Sequence, residues 1–361
     1  MVLTGNNYTD LILSNMIAGV MYGHLVDGYY PGILYHKDYL YGSILAQLLQ
    51  ENISTQSYQA SGNLIAPLPD QQAVMGQGQG GPYQINNYAV DMVAGSYAPA
   101  GHSLINYVAI QKNIGYTIAN AATQNTKVTP PSFNNKYYGP MLTAYFHFND
   151  FVALIITGKG AGGWTTPWQP AFDNALIKFK SLSGNFFEIL LNVAYNQGFY
   201  GPLMSSYSQL GANATTSTIA NVNSYASTWG STNTYQQYPY QVRYYLDQLY
   251  NNQIPTTSPT TFVTPGNHLV FNISLLSSVF SNVFQTLAYV NGSGQSVFIS
   301  TSQATTALNA ALASAGVASN ASLDLASPAN RTKFFTVLET AIRNLETNLH
   351  TSFGATTLVQ L

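Results

Sequence analysis

At 361 residues the chain can bury a large core as one large or two ordinary domains, yet charged side chains make up only 7% of it, against about 25% in an average soluble domain. A formal net charge of −2, with 11 scattered Lys and Arg, excludes both an electrostatic footprint for nucleic acid and an acidic trench for a polycation. The lack of Cys excludes disulfides, thiolate metal sites and thiol nucleophiles together.

With 27 Tyr among many Asn, Gln, Ser and Thr, the surface is expected to be neutral and polar. No apolar run reaches about 18 residues, so no membrane span is expected. The first residues show no basic n-region, apolar core and small-residue cleavage site, so the sequence as it stands carries no signal peptide. Export would use a leader already removed or machinery that needs none.

In chain order, residues 8–26 predict a first helix with Leu11, Leu13, Met16, Ile17, Val20 and Met21 on one side. His24 beside Asp27 and His36 beside Asp38 suggest a metal pair, but adjacent His and Asp more often serve as a cap or a surface hydrogen bond. Residues 39–49 predict a second helix that delivers a lone carboxylate, Glu51. A long irregular segment, 52–80, follows, in which Pro67 and Pro69 exclude helix. Order is expected to resume at the turn Gly81-Pro82-Tyr83-Gln84-Ile85-Asn86, with helical pieces over 88–94, 103–110 and 115–122.

Residues 141–156 are apolar with His147, Asn149 and Asp150 interspersed, and 159–170 read as a loop holding Trp164 and Trp168. A helix over 183–193 leads into Ala194-Tyr195-Asn196-Gln197-Gly198, then a loop-rich stretch over 205–237 and a helix over 240–251. Residues 252–265, with three Pro and a run of Thr, predict a linker or strap. Beyond it, 269–290, 302–315 and 330–350 predict three helices, the last begun by Ser327 as N-cap and Pro328 as first helical residue. They are expected to pack on the first part as an appendage without chemistry of its own. The expected division is 1–251, 252–265 and 266–361, in a mainly α chain.

Glu51, Glu188, Glu339 and Glu346 are the only glutamates. The last two fall on an amphipathic helix where a solvated face accounts for them. Glu188, seven residues before Tyr195 on one helix face, reads first as a buried structural group. Glu51 follows Leu45, Leu48 and Leu49, which supply the apolar surroundings that keep a general acid protonated near neutral pH. Asp70, Asp91 and Asp150 are the candidate second carboxylates that most glycosidases need. Nucleophile elbow, zinc-protease and P-loop signatures are absent from the sequence.

The order Glu51, Gly81 to Gln84, Ala194 to Gly198, Tyr240 to Tyr245 resembles the lysozyme-like superfamily, and within it the lytic transglycosylases of glycoside hydrolase family 23. In that family a catalytic Glu at a helix end is followed by G-x-x-Q, A-Y-N-x-G and E-T-x-x-Y-V segments. Here the Glu51 to Gln84 spacing is longer than usual, and Gln241-Val242 replaces the E-T pair. The resemblance covers roughly residues 39–251. It implies a lysozyme-like helical domain with long loops and a C-terminal helical extension, cleaving β-1,4-linked N-acetylhexosamine polymers, foremost peptidoglycan, outside the cytosol (secreted or periplasmic), with no cofactor or metal.

It further implies that Glu51 is the acid, Tyr195 orients it, Gln84 and Asn196 hold acetamido or hydroxyl groups, and Asn149 is the helix Asn of the family. Tyr83 and Tyr240 are candidate stacking surfaces, though turn chemistry alone also accounts for Gly81-Pro82 and Asn196-Gln197-Gly198. Two alternatives stand beside this: an inverting chitinase- or chitosanase-like hydrolase using Glu51 with Asp70, and a non-catalytic glycan-binding or structural surface protein.

Overall fold

The computed structural model describes residues 6–29, 37–53, 79–80, 85–86, 105–106, 137, 139–141, 143–148, 250 and 270–354. These are mostly helical. Helix α1 spans Asn6–Tyr29 and α2 spans Lys37–Ile53, both close to the bounds that periodicity predicts. The expected one-sided apolar face of α1 is corrected, since every residue from Asp10 to Gly23 is buried. A helix apolar on all sides belongs in the middle of a core. Its interior polar residues bond back along the helix, Ser14 Oγ donating to the Asp10 carbonyl at 2.7 Å and Asn15 Nδ2 to the Leu11 carbonyl at 2.7 Å.

Two glycines four residues apart let α2 lie directly on α1. A Cβ added at Gly19 would sit 2.7 Å from the Tyr41 carbonyl carbon and closer still to its oxygen. One added at Gly23 would sit 2.9 Å from Tyr41 Cδ1 and closer still to Cε1. Gly19 and Gly23 share a helix face, so together they form the slot that Tyr41 fills. Residues 139–141 and 143–148 are also helical, with Met141, Ala144, Tyr145 and Phe148 buried.

From Val270 the chain is continuous. Strand β4 (Val270–Asn272) leads into α3 (Ile273–Phe284), followed by β5 (Ala288–Val290), β6 (Ser296–Phe298), α4 (Thr301–Ser314), β7 (Ser322–Asp324) and α5 (Pro328–Phe353). Of the three helices expected here, the second and third stand within a few residues of their predicted bounds. The first is corrected, because what reads as one apolar helix over 269–290 is a strand, a helix and another strand. Phe271 pairs with Leu323 of β7 and Tyr289 with Val297 of β6, so long-range pairing overrides an apolar run that periodicity cannot divide.

The β5–β6 turn holds Gly294 at φ 74°, where Asn291 Oδ1 accepts from the Ser293 and Gln295 amides. Ser300 and Gln303 form a capping box on α4, Ser327 caps α5 with Pro328 in its first turn, and Gly354 ends α5 at φ 60°.

Short pairings tie in the middle of the chain. Strands β1 (Gln79–Gly80) and β2 (Ile85–Asn86) pair antiparallel, as a chain reversal between Gly80 and Ile85 requires. Strand β3 (Ile105–Asn106) pairs with β5 through Ile105 and Tyr289. The expected helix over 103–110 is therefore corrected at those two residues, a backbone partner distant in sequence having won over local propensity. The linker 252–265 lies outside the described residues. Helix α5 packs on α4, α1 and α2, and α3 packs on α1 and α4. No helix among the described residues is long and apolar enough to cross a membrane.

Candidate functional site

Glu51 lies in the last turn of α2, a helix whose residues from Leu40 to Leu48 are buried. The last turn of α2 carries no basic residue. The Glu51 side chain lies outside the described set, as do Tyr195, Gln84, Tyr83, Asn196, Asn149, Tyr240 and Asp70. Asp91, Asp150, Glu188, Trp164 and Trp168 lie outside it too. Of the predicted site residues, then, only Glu51 has its backbone placed.

One turn before Glu51, Gln47 is buried and its Oε1 accepts from Nε2 of His147. This contact joins the end of α2 to the helical residues 143–148. The His147 ring lies 5.6 Å from the Tyr22 ring at a 43° tilt. Burial pushes the His147 imidazole down from 6.5 to about 3, so it stays neutral throughout the ordinary pH range. At neutral pH both folded and unfolded forms carry it uncharged. As the pH falls below 6.5 the unfolded chain takes up a proton that the folded one refuses, and stability drops. Urea midpoints should decline through the window from 6.5 down to about 3, with a contribution from this group of about 1.4 kcal/mol per pH unit. Repeating the titration with His147→Gln should remove that share of the slope, and an unchanged slope would contradict the assignment.

Three ion pairs join α1 and α2 to α5 among the described residues. His24 Nε2 and Glu346 Oε2 are 2.8 Å apart, each side chain 14% exposed. Lys37 Nζ lies 2.7 Å from Glu339 Oε1, which also accepts from Tyr41 Oη. The expected solvated face for Glu339 and Glu346 is thereby corrected: both are half-buried partners of α1 and α2, a relation that spacing along α5 cannot reveal. His24 is matched with Glu346, its neighbour Asp27 is not needed to account for it, and His36 lies outside the described residues. Among the described residues, no group of three or more His, Asp or Glu is placed to hold a metal ion.

Arg331 is the most enclosed cation with resolved contacts. Its Nε donates to Asp38 Oδ2 at 3.2 Å and its Nη1 to the Leu325 carbonyl at 2.7 Å, with the guanidinium 4.7 Å from the Tyr250 ring centroid. Tyr250 Oη donates to the Asp38 carbonyl at 2.8 Å. Burial, with the Asp38 carboxylate adding to it, pushes the Tyr250 phenol well above its ordinary range. A further chain runs from Asn282 Nδ2 to Tyr137 Oη at 3.1 Å and from Tyr137 Oη to Asp10 Oδ2 at 3.1 Å, joining α3 to the start of α1.

Sequence reasoning named His24, Asp38, His147, Glu339 and Glu346 but missed their partners, and the spacing of Gly19 and Gly23 is a local signal that could have pointed to the close approach of α2. No protein-family model, curated protein or solved structure matches the chain, so the likeness to lytic transglycosylases rests on the four sequence segments alone.

Proposed function

We propose that the chain cleaves β-1,4-linked N-acetylhexosamine polymers, with peptidoglycan first among them, on a lysozyme-like helical scaffold that uses Glu51 as general acid and then base. The observation that carries this reading is the place of Glu51 in the final turn of a helix with no basic residue there to lower its proton affinity. The order of the four segments supports it. In this reading Tyr195 orients the Glu51 carboxyl, Gln84 and Asn196 hold the sugar amide and hydroxyls, and Asn149, Tyr83 and Tyr240 line the cleft. Glu51 protonates the leaving oxygen, and the sugar's own 6-hydroxyl closes a 1,6-anhydro ring after giving up its proton to Glu51. Proximity replaces a water-activating base. An inverting route through Asp70 would instead yield a free reducing end. The place of action is outside the cytosol.

The second reading is a non-catalytic glycan-binding or surface protein. It is favoured by the use of His24, Lys37, Asp38, Arg331, Glu339 and Glu346 in contacts internal to the fold. Incubating the protein and its Glu51→Gln variant with purified peptidoglycan and chitin, and reading products by mass, separates these readings. Release by the parent, falling at least a hundredfold in the variant with its circular dichroism unchanged, is the expected result. Anhydro ends support the intramolecular route, and reducing ends lost in Asp70→Asn support the inverting one. Equal release by parent and variant removes Glu51 from the mechanism, and no release from either polymer favours the binding protein.

A further inference from the structure

Between Gln248 and Leu323 the sequence contains no Asp, Glu, Lys or Arg. A surface usually stays hydrated and dispersed through its charges, so this part of the molecule needs another source of hydration. Within it, two Asn-x-Ser segments come together in space, Asn272-Ile273-Ser274 and Asn320-Ala321-Ser322. Strands β4 and β7 run antiparallel with Asn272 opposite Ser322, and the Ile273 amide donates to the Ala321 carbonyl at 3.0 Å. Asn272, Ser274, Asn320 and Ser322 are all exposed, and so is Val270 at 50% on the same edge.

We propose that this β4–β7 edge is an attachment face for an N-linked glycan, with Asn320 as the acceptor and Asn272 as the alternative one. Asn-x-Ser is the acceptor pattern for such a sugar, and an exposed turn is where it is used. Asn320 sits in the turn closed by the Ala321 amide on the Ala318 carbonyl at 3.0 Å, with Ala318 and Ser319 exposed beside it. At Asn272 the Oδ1 atom accepts from the Ser274 amide at 2.9 Å and from Ser274 Oγ at 2.7 Å. The cap on α3 therefore uses the oxygen, and a sugar on Nδ2 leaves that cap in place. In the reaction Nδ2 attacks C1 of an oligosaccharide carried on a polyprenyl phosphate or diphosphate. The C1–N bond forms, the C1–O bond breaks with its electron pair leaving on the phosphate, and Nδ2 gives up one proton. No oxidation or reduction occurs.

The Asn-x-Ser segment at Asn291 and the Asn-x-Thr segment at Asn330 supply internal comparisons. Both Asn residues are half-buried, and Asn291 Nδ2 donates to Gln295 Oε1 at 3.4 Å. Full-length protein isolated from the cells that make it would be digested and its peptides read by mass. A sugar increment on the Asn320 or Asn272 peptide is expected, with Asn291 and Asn330 bare. Ser322→Ala and Ser274→Ala should each abolish the increment at their own Asn, whereas Ser322→Thr and Ser274→Thr should keep it. Asn272→Asp retains an acceptor for the α3 cap and shows that loss of sugar is not loss of fold. Bare Asn320 and Asn272 peptides, sugar confined to Asn291 or Asn330, or an increment that survives the Ser→Ala changes would each overturn the proposal. Because the test reads peptide masses and not polymer cleavage, it stands or falls separately from the role given to Glu51.

Discussion

Gly19→Ala should cost at least about 3 kcal/mol, the upper end of what overpacking a core usually costs. Most oversized side chains find relief by turning a neighbour's rotamer. Here the obstacle is the Tyr41 carbonyl, part of the α2 backbone, so relief requires the two helices to separate. Separation would draw Tyr41 off Phe335, whose ring centroid lies 5.2 Å away, and would break the Tyr41 bond to Glu339. Gly294→Ala provides the contrast: at φ 74° with nothing within 4 Å of an added Cβ, it should pay only the left-handed backbone strain of about 1–2 kcal/mol. Urea midpoints of the two variants measured together test the comparison. Equal losses would show that α1 and α2 do not depend on the Gly19 contact.

Arg331→Met is expected to be similarly damaging, at about 3 kcal/mol, the lower end for breaking a buried ion pair. The lower end applies because the Asp38 side chain is 25% exposed and keeps some hydration when its partner is lost. The carbonyls of Leu325 and Ala326 lose their guanidinium donor as well. Asp38→Asn together with Arg331→Met should be less harmful than the sum of the two single changes, because the second removes a charge that the first leaves unmatched. Additive losses in that cycle would mean that the guanidinium acts through the carbonyls and the Tyr250 ring and not through Asp38.

The helices that sequence reading located well are those marked by local chemistry. Ser327 and Pro328 start α5 where cap preference puts the start, and the apolar spacing from Tyr39 to Leu49 bounds the middle of α2. Relations between distant segments were not legible. The run from Leu269 to Val290 reads as one helix until β7 and β6 claim its ends, and Ile105 with Asn106 become a strand only because β5 lies beside them. Glu339 and Glu346 look like surface charges on a helical wheel that does not contain Tyr41 or His24. Of the candidate site, the helix end bearing Glu51 was legible because it follows from one continuous apolar run. Its proposed companions come from segments that no local pattern brings near it.

The bonds that α1 and α2 make to α5 have a consequence for how the molecule is made. His24 meets Glu346 across 322 positions, Lys37 meets Glu339 across 302, and Asp38 meets Arg331 across 293. At ribosomal speeds of roughly 5–20 residues per second, α1 leaves the exit tunnel on the order of 15–60 seconds before α5 exists. Throughout that interval α1 can be covered by α2, by the helical residues 143–148 and then by α3, while the face that meets α5 stays open to association. A ribosome halted anywhere before Pro328 would release a product in which α1 and α2 lack α5.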